Sequence, residues 1–239
     1  KGSNIEVTIP SFRPDIEGFA DIVEEITRIY GFEKIEPISI SKNKNQNEEI
    51  LNSSLKSFYK SKRLIANRGY LETVTYSFMD GDEADFISNN SSIKIKNPIS
   101  TDLNTMRPST FPNLLSAINP NVSRLYMSGK LFEVGPNFHG VNDEEQKMVA
   151  TGIQYGLFNS SSWINERRFA DLYDVKSDVL YVLDQLDVPV ENLQHEILHC
   201  KIYHPGKSAQ FRLGKNIVAN FGEISPLILK RFEIKTRVC

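Results

Sequence analysis

The sequence has little cysteine. Cys200 and Cys239 are the only two thiols among 239 residues, and Cys239 is the last residue. Two cysteines cannot provide the disulfide framework on which small secreted domains depend. The count is instead typical of a protein that is kept in the reducing cytosol.

Long apolar runs and an excess of positive charge are also missing. No stretch approaches the roughly 20 apolar residues of a membrane-spanning helix, and the N-terminus lacks the apolar core of a signal peptide. We therefore expect no membrane partner. The chain has 28 Lys and Arg against 30 Asp and Glu, a formal net charge of −2. No overall positive field attracts nucleic acid, so any RNA contact would depend on local patches or on other parts of an assembly.

A helical pattern is clear near the N-terminus. Apolar residues recur at steps of three and four, the period of a helix that faces a core. They are Ile16, Phe19, Ile22, Val23, Ile26, Ile29 and Tyr30. Gly31 follows and provides the left-handed residue that commonly ends a helix. The strand-like segment Ile5–Ile9 comes before, so we predict a strand followed by a helix.

The rest of the chain mixes helical and strand patterns. The spacing predicts helices at 48–68, 111–125 and 174–186, and strands at 73–78, 92–96, 131–134 and 148–155. Three further strand patterns, 197–203, 209–213 and 217–221, are separated by turn residues and are typical of an antiparallel meander. Helices grouped around clustered, hairpin-linked strands predict an α+β fold with an antiparallel sheet.

Carboxylates collect on the polar side of the first helix. Asp21, Glu24 and Glu25 are neighbours there because residues three and four apart share a helix face, and Asp15 precedes the helix. An acidic face is usually only solvated, and acids in the first turn also interact favourably with the helix dipole. Clustered carboxylates equally suit Mg2+, although this ion is often held by only one or two carboxylates and water. The residues alone leave both interpretations open.

A second motif has the letters of a zinc site. His195, Glu196 and His199 match H-E-x-x-H, in which a helix aims both histidines at zinc and the glutamate acts as general base. Pro189 and Pro205 flank the motif, and apolar and polar residues alternate after it, which predicts a strand. A zinc hydrolase therefore stays only as an alternative.

Six blocks of the sequence resemble the beta subunit of bacterial phenylalanyl-tRNA synthetase, in the order of that family. Pro10–Phe32 is similar to PsxRxDI…DLIEEIaRiyGy, Gly69–Phe78 to GyqEvitySF, Asn97–Leu115 to NPls…lRtsLlpgLL, Leu131–Gly135 to lFEiG, His204–Ala209 to HPgrsA and Phe221–Pro226 to GelhP. No single block is specific to this family, but six blocks in the same order are. The sequence also reads like a piece of a longer polypeptide.

The resemblance implies a fold and a division into domains. We expect a class II aminoacyl-tRNA synthetase-like antiparallel sheet flanked by helices, preceded by part of a winged-helix-like module. Residues 1–38 would be the C-terminal part of that module, 39–47 a linker and 48–239 the catalytic-like domain. In an active class II site an arginine that binds ATP follows the strand equivalent to Leu131–Val134. Gly135-Pro136-Asn137-Phe138 stands here instead, so we expect a non-catalytic copy without catalytic residues.

The resemblance also implies a metal, a partner and an activity. Asp15, Asp21, Glu24 and Glu25 match four acidic residues that bind magnesium near the junction with the alpha subunit. The whole cytoplasmic enzyme, with two alpha and two beta subunits, joins phenylalanine to its tRNA with ATP and magnesium. This piece would scaffold the alpha subunit, and tRNA would be contacted mainly by modules absent here. A free-standing regulatory paralogue that binds a ligand or a protein is the other alternative.

Overall fold

The computed structural model describes residues 5–39, 50–88, 92–159, 163–164 and 167–239. The chain divides into two compact units, Lys1–Ile50 and Leu51–Cys239. The predicted linker, residues 39–47, lies almost entirely outside the described residues. In the described part, no helix combines the length and the hydrophobicity that crossing a membrane requires.

The first unit is built around one helix, α1 (Phe19–Tyr30). Gly31 ends it with a φ of 106°, and its N–H donates to the Thr27 carbonyl at 2.9 Å, which confirms the predicted helix stop. The predicted strand Ile5–Ile9 is wrong: the segment is irregular and exposed. A strand needs a neighbour to accept its backbone hydrogen bonds, and none is paired with it among the described residues. The described residues also leave the apolar side of α1 largely exposed. Phe19, which lies on that side, is 83% exposed.

The second unit contains the remaining helices and all strands of the described chain. The helices are α2 (Ser53–Asn67), α3 (Gly81–Ser88), α4 (Phe111–Ser116), α5 (Ile118–Ser123), α6 (Leu172–Gln185) and α7 (Pro226–Arg231). The strands are β1 (Leu71–Glu72), β2 (Phe78–Met79), β3 (Thr105–Met106), β4 (Gly129–Phe138), β5 (Gln146–Tyr155), β6 (Gln194–Ile197), β7 (Tyr203–Leu213) and β8 (Asn216–Ile224).

A mixed sheet and an antiparallel sheet form the centre of this unit. In the first, β4 and β5 pair along their whole length, from Gly129 opposite Tyr155 to Phe138 opposite Gln146, and β1 adds in parallel to β4. In the second, β6, β7 and β8 form an antiparallel meander, as predicted. The predicted strand 197–203 is wrong, because residues 198–202 are irregular and the first strand ends at Ile197. A separate short pair, β2 and β3, lies outside both sheets.

The C-terminal residues join the two sheets. Val238 pairs with Tyr155 of β5 and accepts a hydrogen bond of 2.8 Å from the Ile224 N–H of β8. Cys239 and Gln154 exchange two backbone hydrogen bonds of 2.9 and 2.8 Å. Residues of β5 and β8 also line a cavity of about 630 Å3, to which α2 and α6 contribute.

The core consists of three apolar clusters on these elements. The largest packs α4, α5 and α7 against β4, β5 and the end of β8, with Leu114, Leu115, Ile118 and Ile153 fully buried. A second packs α6 against the meander around Phe211, and a third packs the end of α2 against β4 around Phe132. The α+β arrangement follows from helices that each bury one stripe against a sheet face.

Some predicted elements are shorter or broken. The helix predicted at 111–125 is divided at Ala117 into α4 and α5. Pro120 explains the break, because it has no N–H to donate to the carbonyl of Ser116. The predicted strand 92–96 is reduced to a single bridge between Lys94 and Thr105. The predicted strand 73–78 pairs only at its end, in β2, and residues 73–76 are irregular.

Candidate functional site

The four carboxylates expected to bind a metal all lie in the first unit, around the start of α1. Asp15 precedes the helix in a turn in which the Ile16 N–H donates to the Arg13 carbonyl at 3.4 Å. Asp21, Glu24 and Glu25 lie within α1. The turn and the helix therefore carry the four side chains on one short stretch of chain.

Arg13 connects two of these carboxylates. Its Nε donates to Asp15 Oδ1 at 2.9 Å, and its Nη2 donates to Asp15 Oδ2 and to Glu25 Oε1, each at 2.7 Å. Arg28 donates to the other oxygen of Glu25, Oε2, at 2.6 Å. Guanidinium groups of the same unit thus neutralise Asp15 and Glu25.

Asp21 and Glu24 have different surroundings. Asp21 Oδ2 accepts hydrogen bonds from the backbone N–H groups of Glu17 and Gly18, at 2.9 and 2.8 Å. It therefore satisfies N–H groups at the start of α1 that have no intrahelical partner. The Glu24 side chain is exposed and makes no hydrogen bond or ion pair to any residue that the structure describes.

The contacts favour the charged form of three of these groups. Hydrogen bonds from Arg13, and then from Arg28, lower the pKa of Glu25 to about 2. Arg13 also lowers the pKa of Asp15, and the Gly18 N–H lowers that of Asp21. Ionised oxygens are the ligands that Mg2+ takes, so the donor chemistry fits. The positions of the four groups do not fit a magnesium site, because no group of three or more His, Cys, Asp or Glu side chains among the described residues is placed to share one ion.

The H-E-x-x-H segment lies in the second unit and is not helical. His195 and Glu196 belong to β6, whereas His199, inside the predicted strand 197–203, follows β6 in irregular chain. Glu196 accepts hydrogen bonds from Gln210 at 2.8 Å and Arg212 at 3.1 Å, which lower its pKa. The zinc chemistry requires a helix and a free glutamate, and this segment provides neither. The described geometry therefore does not match that of a zinc-protease site.

A buried ion pair links the chain around β3 to β4. Arg107 is 1% exposed, and its Nη1 donates to Glu133 Oε1 at 2.6 Å and to Thr75 Oγ1 at 3.0 Å. Its Nε donates to the Pro136 carbonyl at 2.9 Å. Arg107 therefore pairs with a carboxylate inside the second unit. A Cβ on Gly135 would come within 2.4 Å of Arg107 Nη2, so this glycine makes room for the guanidinium.

The second unit also has an open groove of about 870 Å3. Val74 and Tyr76, which are 89% and 69% exposed, form part of its apolar wall. Asp80, Glu83 and Asp102 add carboxylates. Burial and then the nearby Asp80 raise the pKa of Glu83. The groove therefore combines an exposed apolar surface with negative charge.

Comparison with known families identifies the chain. Residues 41–239 match the family model described as the phenylalanyl tRNA synthetase beta chain CLM domain, and residues 1–32 match the tRNA synthetase B5 domain. The chain belongs to the phenylalanyl-tRNA synthetase beta chain family.

Curated relatives of the beta chain family agree along nearly the whole sequence. The phenylalanine–tRNA ligase beta subunit of Rhodospirillum rubrum is 38% identical over 232 residues, which cover 97% of this chain and 29% of the relative. The corresponding subunit of Rickettsia bellii is 39% identical over 239 residues, covering 98% of this chain and 27% of the relative. The chain thus spans less than a third of the length of these relatives.

Solved structures confirm the predicted class of fold. Two structures of pyrrolysyl-tRNA synthetase from Desulfitobacterium hafniense superpose with TM-scores of 0.60 and 0.61, at 13% and 12% identity. Each covers 81% of this chain, and the chain covers 66% and 67% of theirs. At this identity the likeness concerns the fold alone, which is the expected class II synthetase-like α+β arrangement.

Sequence reasoning missed the groove of this beta chain. Residues 73–78 are predicted as a strand because β-branched and aromatic residues alternate there. The structure leaves Val74 and Tyr76 exposed instead. The run of β-branched and aromatic side chains at 73–78 is the sequence signal of this surface, but the sequence does not show that most of the segment stays unpaired.

Proposed function

We propose that this chain is part of a phenylalanine–tRNA ligase, the enzyme that attaches phenylalanine to its tRNA with ATP. In this role it scaffolds a catalytic alpha subunit in a cytoplasmic assembly of two alpha and two beta subunits. The family match over residues 41–239 is the observation that carries the proposal. The beta subunit names of the relatives and the synthetase fold of the neighbours support it.

We also propose a division of roles along the chain. Residues 1–38 form the end of a small winged-helix-like module, 39–47 a linker, and 48–239 a non-catalytic copy of the catalytic domain. The match of residues 1–32 to a separate domain model supports the first boundary. The Arg107–Glu133 ion pair supports the proposal that residues 48–239 are a non-catalytic copy. Because Arg107 neutralises Glu133, this side chain has no free charge beside Gly135.

The alpha subunit, in this proposal, packs on the groove and on the outer face of α2. Leu55 and Tyr59 are one helical turn apart and are 38% and 44% exposed. Val74 and Tyr76 add a second exposed apolar surface. Stable subunit interfaces are typically large and apolar, whereas monomers rarely expose large apolar patches.

The interface can be tested by adding charge to the groove. We expect Val74→Asp combined with Tyr76→Asp to weaken binding of the alpha subunit at least about tenfold, because a buried unpaired charge opposes association. Calorimetric titration of the chain with purified alpha subunit measures this effect. Val141→Asp is the control, since Val141 is 79% exposed and does not line the groove. Failure of the wild-type chain to bind any alpha subunit would favour the free-standing paralogue.

Magnesium is the proposed metal of the first unit. We propose that Asp15, Asp21, Glu24 and Glu25 hold it in the assembled enzyme. The all-oxygen chemistry of the four groups supports this, as do the lowered pKa values of Asp15, Asp21 and Glu25 and the match to the family pattern. Arg13 separates Asp15 from Glu25 in the arrangement described above, and the cation would have to compete with this arginine.

A further inference from the structure

The two sheets of the second unit meet across open edges. β5 is the last strand of the first sheet, and β8 is the last strand of the second. Among the described residues, only 237–239 form hydrogen bonds with these two edges. A row of unpaired N–H and C=O groups on an edge strand is a template to which another strand can add.

The contacts of residues 237–239 show that the space between the edges is one strand wide. Cys239 and Gln154 of β5 exchange two backbone hydrogen bonds, at 2.9 and 2.8 Å. The Val238 carbonyl accepts a hydrogen bond of 2.8 Å from the Ile224 N–H of β8. One strand therefore bonds to both edges at once. Neighbouring strands lie about 4.8 Å apart, so the two edges are roughly 10 Å apart at this point.

The cavity of about 630 Å3 continues this space along both edges, and we call it the strand slot. Its lining includes residues 147–152 of β5 and residues 217–222 of β8, which are six residues of each edge. Cys239 lines it as well. A strand rises about 3.3 Å per residue, so an extended segment of about six residues, roughly 20 Å long, matches these edges in length.

Apolar layers lie on both faces of the strand slot. Val238 is fully buried in the cluster that contains α4, α5 and α7, whereas Cys239 is 4% exposed in the cluster that packs α6 against the meander. The two side chains thus alternate between two apolar layers, as those of a central strand do. A strand that is covered on both faces consists of an almost continuous run of apolar residues.

Asp178, the buried acid of the lining, is already neutralised. Arg68 Nε donates to its Oδ1 at 2.6 Å. Lys130 and the Tyr70 hydroxyl donate to its Oδ2, at 3.3 and 3.0 Å. The charge of Asp178 is therefore not available to a polar ligand. Apolar side chains and open backbone groups are the features by which proteins bind an added polypeptide strand.

We propose that the strand slot is filled by an extended, apolar segment of the same polypeptide, formed by the residues that follow Cys239 in the full-length beta subunit. This chain spans less than a third of the length of its relatives, and the Cys239 backbone is already paired with β5 at the slot. The segment continues that pairing antiparallel to β5. It joins the three strands of the first sheet and the three of the second, with itself between them, into one sheet of seven strands.

The register of the segment follows from the pairing of Gln154 with Cys239. Backbone direction alternates along a strand, so the N–H groups of Gly152 and Ala150 point into the slot, whereas that of Thr151 points towards β4. Thr151 then lies opposite the third residue after Cys239, in a pair that exchanges no hydrogen bonds. The Cα atoms of such a pair are about 4.5 Å apart, which permits a disulfide.

Amide hydrogen exchange of the full-length subunit, measured at residue resolution by mass spectrometry, tests whether the slot is filled. We expect the N–H groups of Gly152 and Ala150 to exchange as slowly as that of Thr151. Thr151 is the control, because it pairs with Glu133 of β4 whether the slot is filled or empty. In the chain that ends at Cys239, Gly152 and Ala150 should exchange at least about a hundredfold faster than in the full-length subunit, since amides on an open edge are exposed to water.

Paired cysteines identify the occupant of the slot. In the full-length subunit, Thr151→Cys should form a disulfide under mild oxidation with a cysteine placed at the third position after Cys239. A cysteine at the fourth position is the matched control, because its side chain points to the other face of the strand. Peptide mapping locates the disulfide, and circular dichroism before oxidation shows that each variant is folded.

Slow exchange at Gly152 and Ala150, together with the disulfide at the third position, supports the proposal. Fast exchange at both amides in the full-length subunit shows that the slot is open and overturns it. Slow exchange without that disulfide overturns it as well, because the slot is then filled by another chain, by a ligand or in another register.

Discussion

Arg107 shows how far a single residue could be understood from the sequence. Its pairing with a carboxylate was predictable, since a charged side chain among apolar neighbours requires a partner. The identity of the partner was not, because Glu133 lies 26 positions along the chain and meets Arg107 only when β4 is in place. The role of Gly135 was hidden for the same reason, because it depends on where the guanidinium lies.

The buried pair leads to a prediction on stability. Arg107→Met leaves Glu133 buried without its counter-charge, and breaking such a pair typically costs about 3–5 kcal/mol. Urea denaturation followed by circular dichroism measures the change. Arg124→Met is the control, because Arg124 is exposed and surface changes usually stay within about 0.5 kcal/mol. Adding Glu133→Leu to Arg107→Met should restore much of the loss, and similar values for all three variants would contradict the prediction.

At the scale of elements, the sequence predicted what local periodicity determines. The helices α1, α2 and α6 follow from apolar spacing, and all are present. The β6–β8 meander is also present, but its first strand lies at Gln194–Ile197 instead of the predicted 197–203. The strand predicted at Ile5–Ile9 is absent, and the strand predicted at 73–78 pairs only at its end, because strand formation depends on a partner, which the pattern of one segment does not reveal. The parallel pairing of β1 with β4 was unpredicted for the same reason.

The turn after β5 depends on a glycine. Gly156 has a φ of 75°, and a Cβ there would lie 2.4 Å from the Met127 carbonyl oxygen. Gly214, in the turn between β7 and β8, has a φ of 61°, but a Cβ added there would meet no atom within 4 Å. We expect Gly214→Ala to cost about 1 kcal/mol from backbone strain alone. Gly156→Ala should cost at least twice as much by chemical denaturation, and equal losses would show that the backbone at Met127 moves away freely.

At the scale of the whole molecule, the order of the family blocks was more informative than any physical pattern. Composition and periodicity predicted only an α+β protein, and they excluded few functions. The six blocks led to the synthetase beta chain family, which the family match confirms. The candidate metal residues came from the same resemblance. The Glu25–Arg28 pair follows from their spacing of three on one helix. The contacts with Arg13 could not be read from the sequence, because they depend on how the turn before the helix is placed.

The proposed non-catalytic role predicts that this chain alone does not activate phenylalanine. No arginine follows Glu133 in Gly135-Pro136-Asn137-Phe138, and Glu133 itself is paired. Phenylalanine-dependent exchange of pyrophosphate into ATP should therefore stay at the level of a blank without protein. The complete alpha–beta enzyme serves as the positive control. Exchange well above the blank with the isolated chain would show that the copy has kept its catalysis.

The joining of the two sheets by residues 237–239 has a consequence for synthesis. The β4–β5 hairpin and the β6–β8 meander each consist of neighbouring strands, so both can form soon after they leave the ribosome. Val238 and Cys239 emerge on the order of ten seconds after β5 at ordinary rates of translation. During that interval both halves present unpaired strand edges to the cell. The order of translation thus places the joining of the two sheets after both halves of the second unit have formed, and the interval before it is the stage most open to capture by other chains.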